Sequence, residues 1–221
     1  VCLFTTPRAG FDIGGAWNAP AGKFIQWQVR GADQLRYSLD DIFRATDLGI
    51  RSVLLADIGL IQVVDELRRA GDLPADLIIK SSAVMMPANP ASARLMQDLG
   101  SDTVNVSTDL SVAQLSAIRQ IVHVPLDIYI EAPDGIGGFV RHFETPDMIR
   151  FAAPIYVKLG LRNSPDIYPS GQHLESMALN LSRERVRRSK LVYDLIQREM
   201  PEAIISSTGT RHEDLGVPVV S

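Results

Sequence analysis

Short apolar runs alternate with amphipathic helical patterns along most of this chain. The runs cover residues 1–7, 52–57, 76–82, 103–108, 125–132 and 154–162. A helical pattern follows each run, and after the first run they recur roughly every 25 residues, which is the length of one βα unit. Six βα units in succession predict one parallel sheet covered by helices.

Two α/β architectures fit this alternation, a TIM-type barrel and an open doubly wound sheet. A doubly wound sheet usually carries a glycine-rich phosphate turn directly after its first strand, and residues 5–10, TTPRAG, do not form one. We therefore predict a TIM-type (β/α) barrel as a single domain over residues 1–200. Residues 201–221 are rich in Ser, Thr, Gly and Pro, and we predict a loosely packed tail there.

A closed TIM barrel needs eight parallel strands, whereas six βα units are visible. The first apolar run begins at Val1, and the first and last runs would leave exposed strand edges that favour pairing. We expect a (β/α)8 barrel that lacks its first two units. The alternative is a homo-oligomer in which another copy of the chain covers the edges.

Five of the runs carry a charged or amide side chain within their apolar stretch or at its end. These residues are Asp57, Lys80, Asn105, Glu131 and Lys158. The C-terminal strand ends of a β/α barrel face the active site, and a buried charge is costly unless it is paired. We predict that the lysines, Glu131 and Asp57 are catalytic and that Asn105 binds substrate. The alternative is an interior ion-pair network with no chemistry.

Strand alternation refines this prediction on the last two runs. It places Asp127, Tyr129 and Glu131 on one face of the fifth strand, and Tyr156 and Lys158 on one face of the sixth. Tyr129 is therefore a further predicted substrate-binding residue. A lysine beside a second cation has a lowered pKa and can act as a base or a Schiff-base nucleophile, with a nearby carboxylate moving protons.

A glycine-rich loop at residues 134–138, DGIGG, is the second candidate site. The last two βα loops of a barrel often bind phosphate through backbone N–H groups, and an arginine adds a two-pronged clamp. The predicted substrate-binding residues here are Gly135, Gly137, Gly138, Arg141, Arg162 and Asn163. The alternative is a turn that only lets the chain bend into the next helix.

Composition and charge limit the classes of partner and ligand that the chain is expected to bind. A net charge of −4 and a pI near 5.6 give no reason to expect nucleic acid or a membrane surface as partner. One cysteine and four scattered histidines predict no cofactor and no metal site, although Asp57 and Glu131 could hold a divalent ion. We expect a cytoplasmic protein with a small-molecule or peptide ligand.

Two further segments carry predictions of their own. Residues 8–31 are too long for an ordinary βα connection of about 2–6 residues, so we expect them to cover the barrel mouth, with a short hairpin in KFIQWQV. Trp17 and Trp27 lie in this loop. The basic run at residues 183–190 is interrupted by Glu184 and is predicted to be a solvated surface.

Residues 88–132, ANPASARLMQDLGSDTVNVSTDLSVAQLSAIRQIVHVPLDIYIEA, resemble the collagenase-like peptidases of family thirty-two, whose mechanism is unassigned. Residues 30–57, RGADQLRYSLDDIFRATDLGIRSVLLAD, are similar to an adjacent segment of that family. The family signature contains cysteines after the strand that ends in Glu, and the matching stretch here, EAPDGIGGFVRHFE, has none. The chain therefore resembles a divergent member of the family, and the resemblance does not imply cysteine-dependent or cluster-dependent chemistry.

The resemblance implies a peptidase-like hydrolase with the Lys/Glu/Asp site at the C-terminal strand ends. A second possibility is a lyase or aldolase that uses Lys80 or Lys158 on a small carbonyl compound, with or without a phosphate group. A third is a non-catalytic ligand-binding or accessory barrel protein. The sequence favours an enzyme over the third possibility because its charges sit at the strand ends.

Overall fold

The computed structural model describes residues 2–4, 27–165, 167 and 171–207. Contacts within the chain divide it into two compact units, residues 1–107 and residues 108–221. The first unit contains strands β1 (Leu3–Phe4), β2 (Ser52–Leu55), β3 (Ile78–Ser81) and β4 (Thr103–Asn105), and helices α1 (Gly31–Asp47), α2 (Ile58–Ala70) and α3 (Pro90–Asp98). The second contains strands β5 (Leu126–Glu131) and β6 (Ile155–Leu159), and helices α4 (Val112–Arg119), α5 (Thr145–Ala152) and α6 (Glu175–Glu199).

The strands are parallel and follow the order of the chain. In the first unit β1 pairs with β2, β2 with β3 and β3 with β4, and in the second unit β5 pairs with β6. The sheet has six strands in the order β1-β2-β3-β4-β5-β6. A doubly wound sheet reverses its strand order at a switch point, whereas β/α barrels keep the chain order. The predicted α/β class with six parallel strands is confirmed, and barrel closure with eight strands stays a prediction.

Helix starts in both units carry side-chain caps that the sequence supplies. Asp57 caps α2 by accepting a hydrogen bond from the Leu60 N–H at 2.8 Å. Asn89 with Ser92 forms a reciprocal capping box on α3, and Ser111 with Gln114 forms another on α4. Such caps satisfy N–H groups that the first helical turn leaves open, and each contributes about 1 kcal/mol.

The first unit has an apolar core, and a network of charged side chains lies beside it at the strand starts. Its buried side chains include Ile42, Val53, Leu55, Ile61, Ile79 and Val104. Arg68 on α2 donates to Asp102 at 2.6 Å, to Asp65 at 2.7 Å and to the Leu77 carbonyl at 2.6 Å. Gly100 has a φ of +105°, and a Cβ there would overlap the Asp65 side chain. The network therefore requires glycine at this position.

The second unit packs α4 and α5 together beside its two strands. Its buried side chains include Leu115, Ile118, Leu126, Ile128, Ile130 and Met148. Arg119, at the end of α4, is buried and donates to the carbonyls of Ala152, Val122, Val124 and Pro154 at 2.8–3.1 Å. These carbonyls directly precede β5 and β6, so one guanidinium ties the starts of both strands to the helices.

The predicted elements agree with the observed ones to within a few residues. A helix follows each of β2 to β6, as the alternation predicted, and the apolar runs extend at most three residues beyond these strands. The predicted lid and hairpin lie mostly in residues 5–26, outside the described residues, as do residues 208–221 of the predicted tail. The single domain over residues 1–200 stays a prediction.

Candidate functional site

Asp57 follows β2, and its side chain stabilises the local backbone through hydrogen bonds. One carboxylate oxygen accepts the Leu60 N–H of α2, and the other accepts the Val29 N–H at 3.1 Å. The side chain is half-buried and joins the segment before α1 to the start of α2. Its predicted catalytic role stays a prediction beside this observed capping role.

The other two predicted site residues of the first unit lie on β3 and β4. Asn105 is fully buried and its Nδ2 donates to the Ser81 carbonyl at 2.6 Å, which links the ends of the two strands. Lys80 is half-buried and lies in register with Leu54 on β2 and Thr103 on β4. Asn105 therefore stabilises the strand ends, and its role in substrate binding stays a prediction.

The polar face predicted on β5 and β6 is present in the second unit. Asp127 pairs in register with Tyr156, and Tyr129 pairs with Lys158. The Lys158 ammonium lies 4.5 Å from the centre of the Tyr129 ring. Burial, with a further contribution from Asp127, raises the pKa of both tyrosines, while Arg185 acts in the opposite direction on Tyr129. Both phenols therefore stay protonated at neutral pH.

Glu131 does not follow the simple alternation that the sequence suggested. The register shifts between Tyr129 and Glu131, so that Glu131 pairs with Leu159 rather than with the second residue after Lys158. An inserted residue of this kind locally re-aims side chains and is common beside functional sites. Period-two alternation therefore cannot be used to place Glu131 on the face of Asp127 and Tyr129.

Glu131 is fully buried and has a different partner on each carboxylate oxygen. Its Oε1 accepts the Arg162 N–H at 3.0 Å and the guanidinium of Arg188 on α6. Its Oε2 lies 3.3 Å from Nε2 of His142. A buried carboxylate is stable when a cation and hydrogen bonds replace its lost water, and Arg188 and Arg162 supply both on one oxygen.

The other oxygen belongs to a group of polar atoms without hydrogen bonds. Among the described residues, six side-chain atoms are buried without a hydrogen-bond partner. Two are Ser81 Oγ and Ser101 Oγ of the first unit, and the other four are Glu131 Oε2, Arg141 Nε, His142 Nε2 and Thr145 Oγ1. All four belong to the short stretch from the end of β5 to the start of α5. Buried polar atoms are nearly always satisfied in folded proteins, and exceptions indicate a bound water, a ligand or a catalytic group.

The glycine-rich loop is held by its own acidic residue. The Asp134 carboxylate lies 3.3 Å from Nε of Arg162 and accepts the Asn163 N–H at 2.6 Å. Gly138 has a φ of +62°, and a Cβ there would lie 2.9 Å from Asp134 Oδ1. The backbone N–H groups of Ile136 and Gly138 both donate to the Pro133 carbonyl. The loop is therefore a tight turn whose glycine is required by close contact with Asp134.

Arg141, predicted to clamp a substrate anion, is used inside the second unit. Its Nη1 donates to the Leu110 carbonyl at 2.6 Å, and its Nη2 pairs with Glu144 at 2.6 Å. Gly135 and Gly137 belong to the same turn, and Gly137 has a φ of +122°. The substrate-binding roles of these residues stay predictions, and the observed contacts give Arg141 a structural role.

The structure divides the predicted constellation between the two units. Asp57, Lys80 and Asn105 belong to the first unit, and Glu131, Lys158 and the glycine-rich loop belong to the second. Within the second unit, two residues that sequence reasoning passed over contact Glu131, namely His142 and Arg188. Arg188 corrects the prediction that the whole basic run is solvated. No spacing signal marks either residue, because both reach Glu131 from other elements.

The described residues contain neither a cluster of metal ligands nor a helix able to span a membrane. In residues 2–4, 27–165, 167 and 171–207, no three His, Cys, Asp or Glu side chains are grouped as a metal site would require. The stretch after β5 lacks the cysteines of the resembled family, and Cys2 alone cannot provide a thiolate cluster. In the same described residues, no helix combines the length and the apolar character needed to cross a bilayer.

Similar solved structures include three enzymes, each related to only part of the chain. The U32 peptidase Mk0906 is 24% identical over 60% of this chain and 46% of its own, with a TM-score of 0.39. GMP reductase from Trypanosoma brucei is 12% identical over 62% and 33%, with a TM-score of 0.43. Nitroalkane oxidase from Streptomyces ansochromogenes is 17% identical over 72% and 49%, with a TM-score of 0.39. The chain thus spans about half the length of the U32 peptidase.

The sequence profile of peptidase family U32 matches residues 28–132. No curated protein matches the chain. The matched range runs from the residue after Trp27 to the residue after Glu131, and so includes β2 to β5 and the whole of the first resembling segment. The resemblance noted from the sequence is confirmed over residues 28–132, where the chain matches the model of peptidase family U32.

Proposed function

We propose that this chain is part of a peptidase-like hydrolase in which Glu131 transfers the protons. The observation that carries the proposal is the asymmetric setting of this carboxylate. One oxygen is held by Arg188 and the Arg162 N–H, while the other lies beside His142 and has no hydrogen bond within the described residues. Glu131 also falls inside the range that matches the peptidase family.

The chemistry of amide hydrolysis needs such a group. A water oxygen bonds to the carbonyl carbon while a base removes its proton, and the same proton is then given to the leaving nitrogen as the C–N bond breaks. Oε2 of Glu131 is the base in this proposal. Arg188 and the Arg162 N–H orient the carboxylate, and His142 steadies the proton on the shared oxygen.

Lys158 suits a binding role better than a nucleophilic one. Its ammonium lies over the Tyr129 ring, and this contact stabilises the charged form of the lysine. A Schiff-base nucleophile must instead be a neutral amine. Lys158 is therefore assigned to the negative oxygen of a substrate or intermediate. The substrate is proposed to be a peptide or a small amide, and a homo-oligomer and a cytoplasmic location remain part of the proposal.

The test is peptide hydrolysis by the full chain and its Glu131→Gln variant. Glutamine keeps an oxygen for Arg188 and for the Arg162 N–H but cannot accept the proton, so turnover should fall by about 10²–10⁴. Glu199→Gln is the matched control, because Glu199 is an exposed carboxylate on the last turn of α6. Equal turnover in both variants, with Glu131→Gln still folded, would refute the proposal.

Borohydride trapping separates the lysine alternative from hydrolysis. A lyase that uses Lys80 or Lys158 would form a reducible adduct with a carbonyl substrate, and the proposed hydrolase should form none. Covalent labelling of either lysine would contradict the role given to Glu131. If the wild-type chain neither hydrolyses peptides nor forms an adduct, the non-catalytic binding protein is the correct alternative.

A further inference from the structure

The first unit contains a cleft where the chain leaves β2 and β3. Its volume is about 380 Å³. The lining residues are Trp27, Gln28, Ala56, Asp57, Ile58, Gly59, Val84 and Met85. This volume lies at the small end of the range for small-molecule sites, about 300–1,000 Å³. The cleft fits a compact ligand of one or two rings and does not depend on the role proposed for Glu131.

The aromatic wall of the cleft is fixed from behind. The Trp27 ring packs against the Phe4 ring of β1 with a centroid distance of 5.1 Å and an interplanar angle of 40°. A supported indole loses little freedom when a ligand binds, which favours affinity. Trp27 therefore offers a ready surface for a second flat ring, since aromatic pairs contribute beyond their buried area.

The thioether side of the cleft comes from the turn after β3. Val84 and Met85 lie in the 3-10 turn Ala83–Met85, which Ser82 caps. The next residue, Met86, has a φ of +51°, which is costly for a side chain other than glycine. The strained residue directly follows the turn that contributes Val84 and Met85 to the cleft. A methionine sulfur makes favourable contacts with aromatic rings.

Asp57 gives the cleft its polarity. Among the described residues that line the cleft it is the only charged one. Each of its oxygens accepts one backbone N–H, from Leu60 or Val29, and a carboxylate oxygen can accept a second donor. Among the described residues of the lining there is no lysine or arginine to attract an anion. The complementary group on a ligand is therefore an O–H or N–H donor.

We propose that this cleft binds a small uncharged aromatic compound that carries an O–H or N–H donor, of the phenol or indole class. The ring lies against Trp27 and Met85, and the donor bonds to Asp57.

The test measures the affinity of the full chain for indole and for 1-methylindole by ligand-observed NMR titration. The two probes differ in the N–H donor, and a hydrogen bond to a charged acceptor contributes about 1.5–3 kcal/mol. Indole should therefore bind at least about tenfold more tightly. Equal affinity for the two probes, or no saturable binding of indole, would overturn the proposal.

Variants tie the binding to the cleft. Asp57→Asn keeps an oxygen to cap α2, because Asn and Asp are equally good caps, and it should lose most of the preference for indole. Trp27→Ala and Met85→Ala should each weaken the binding of both probes several-fold. Met85→Ala provides the readout if the Trp27→Ala variant fails to fold. Asp147→Asn, at an exposed carboxylate of α5, is the control and should change nothing. An unchanged preference in a folded Asp57→Asn variant would refute the assignment.

Discussion

The two ends of the β5–β6 pair handle buried charge in opposite ways. At the strand starts, Arg119 is surrounded by four backbone carbonyls, and its Nε, Nη1 and Nη2 all donate. At the C-terminal end, Glu131 is held on one oxygen only, and its other oxygen has His142 as its near neighbour. Both groups are buried and lie within the second unit.

The difference teaches what each end can do. A charge whose bonding capacity is used by the backbone stabilises structure and has nothing left to offer a ligand. A charge with an open atom keeps a cost in stability that a water or substrate can relieve. The first unit repeats the closed arrangement at its own strand starts, where Arg68 bonds to two carboxylates and a carbonyl. In both units, a hydrogen-bonded arginine thus stabilises the starts of the strands.

Removing the Arg119 guanidinium, which is fully hydrogen-bonded to the backbone, should cause the largest loss of stability. Arg119→Met leaves the carbonyls before β5 and β6 without their donor, so the free energy of unfolding should fall by about 3 kcal/mol. Arg150→Met is the control, because Arg150 pairs with Asp147 at the surface, where an ion pair contributes less than about 1 kcal/mol. Urea unfolding measures both, and equal losses would show that the Arg119 network is not stabilising.

Removing the cation from the open end should cost less. Arg188→Gln takes away the charge that faces Glu131, but Arg188 is 28% exposed and water replaces part of the interaction. We expect a loss of about 2 kcal/mol in unfolding free energy. The neighbouring Arg187→Gln, at a more exposed arginine that pairs with Glu184, should cost less than about 1 kcal/mol. A smaller loss for Arg188→Gln than for Arg187→Gln would break the comparison.

Two threonines measure how many polar atoms lack a hydrogen bond at the C-terminal end of the β5–β6 pair. Thr145 Oγ1 is buried without a hydrogen bond, whereas Thr108 Oγ1 donates to the Ile136 carbonyl at 2.8 Å. Thr108→Val should therefore lower the unfolding free energy by about 1 kcal/mol, and Thr145→Val should leave it unchanged or raise it slightly. A loss in Thr145→Val as large as in Thr108→Val would mean that an ordered water satisfies this hydroxyl.

The smallest expected effect is a pH dependence at the closed end. Burial lowers the pKa of Arg119 from its ordinary value to about 10. Above that pH the folded state releases the proton while the unfolded chain keeps it, so this group adds to the unfolding free energy as pH rises. The stability difference between wild type and Arg119→Met should widen by about 1 kcal/mol from about pH 9 to about pH 11. A constant difference would contradict the lowered pKa.

Much of the fold could be predicted because its signals are local. Apolar runs with helical patterns between them place β2 to β6 within a few residues of their observed bounds and put a helix after each strand. Caps such as Asn89 with Ser92, and Gly71 after α2, act through neighbouring backbone groups. Interactions of this range can be read from consecutive residues, since the chain itself sets the distances.

The site could be predicted only in part. The sequence predicted Glu131 as a site residue because it is a charge at the end of an apolar run, and that role stays a prediction. Its partners were missed because Arg188 comes from α6, 57 residues away, and His142 from the connection before α5. A single arginine in a basic run carries no mark of burial, so the pattern that predicted a solvated surface holds for its exposed neighbours and not for Arg188.

The sequence by itself determined the order of the elements, the parallel class of the sheet and the polar residues at its strand ends. Tertiary structure decided which buried polar side chains have all their hydrogen bonds made and which keep an atom without a partner. Asp57 became a helix cap, Arg119 a tie between strand starts, and Glu131 a half-satisfied carboxylate. The physical reason is that the state of a buried charge depends on atoms brought near it by packing, and a one-residue register shift suffices to re-aim it.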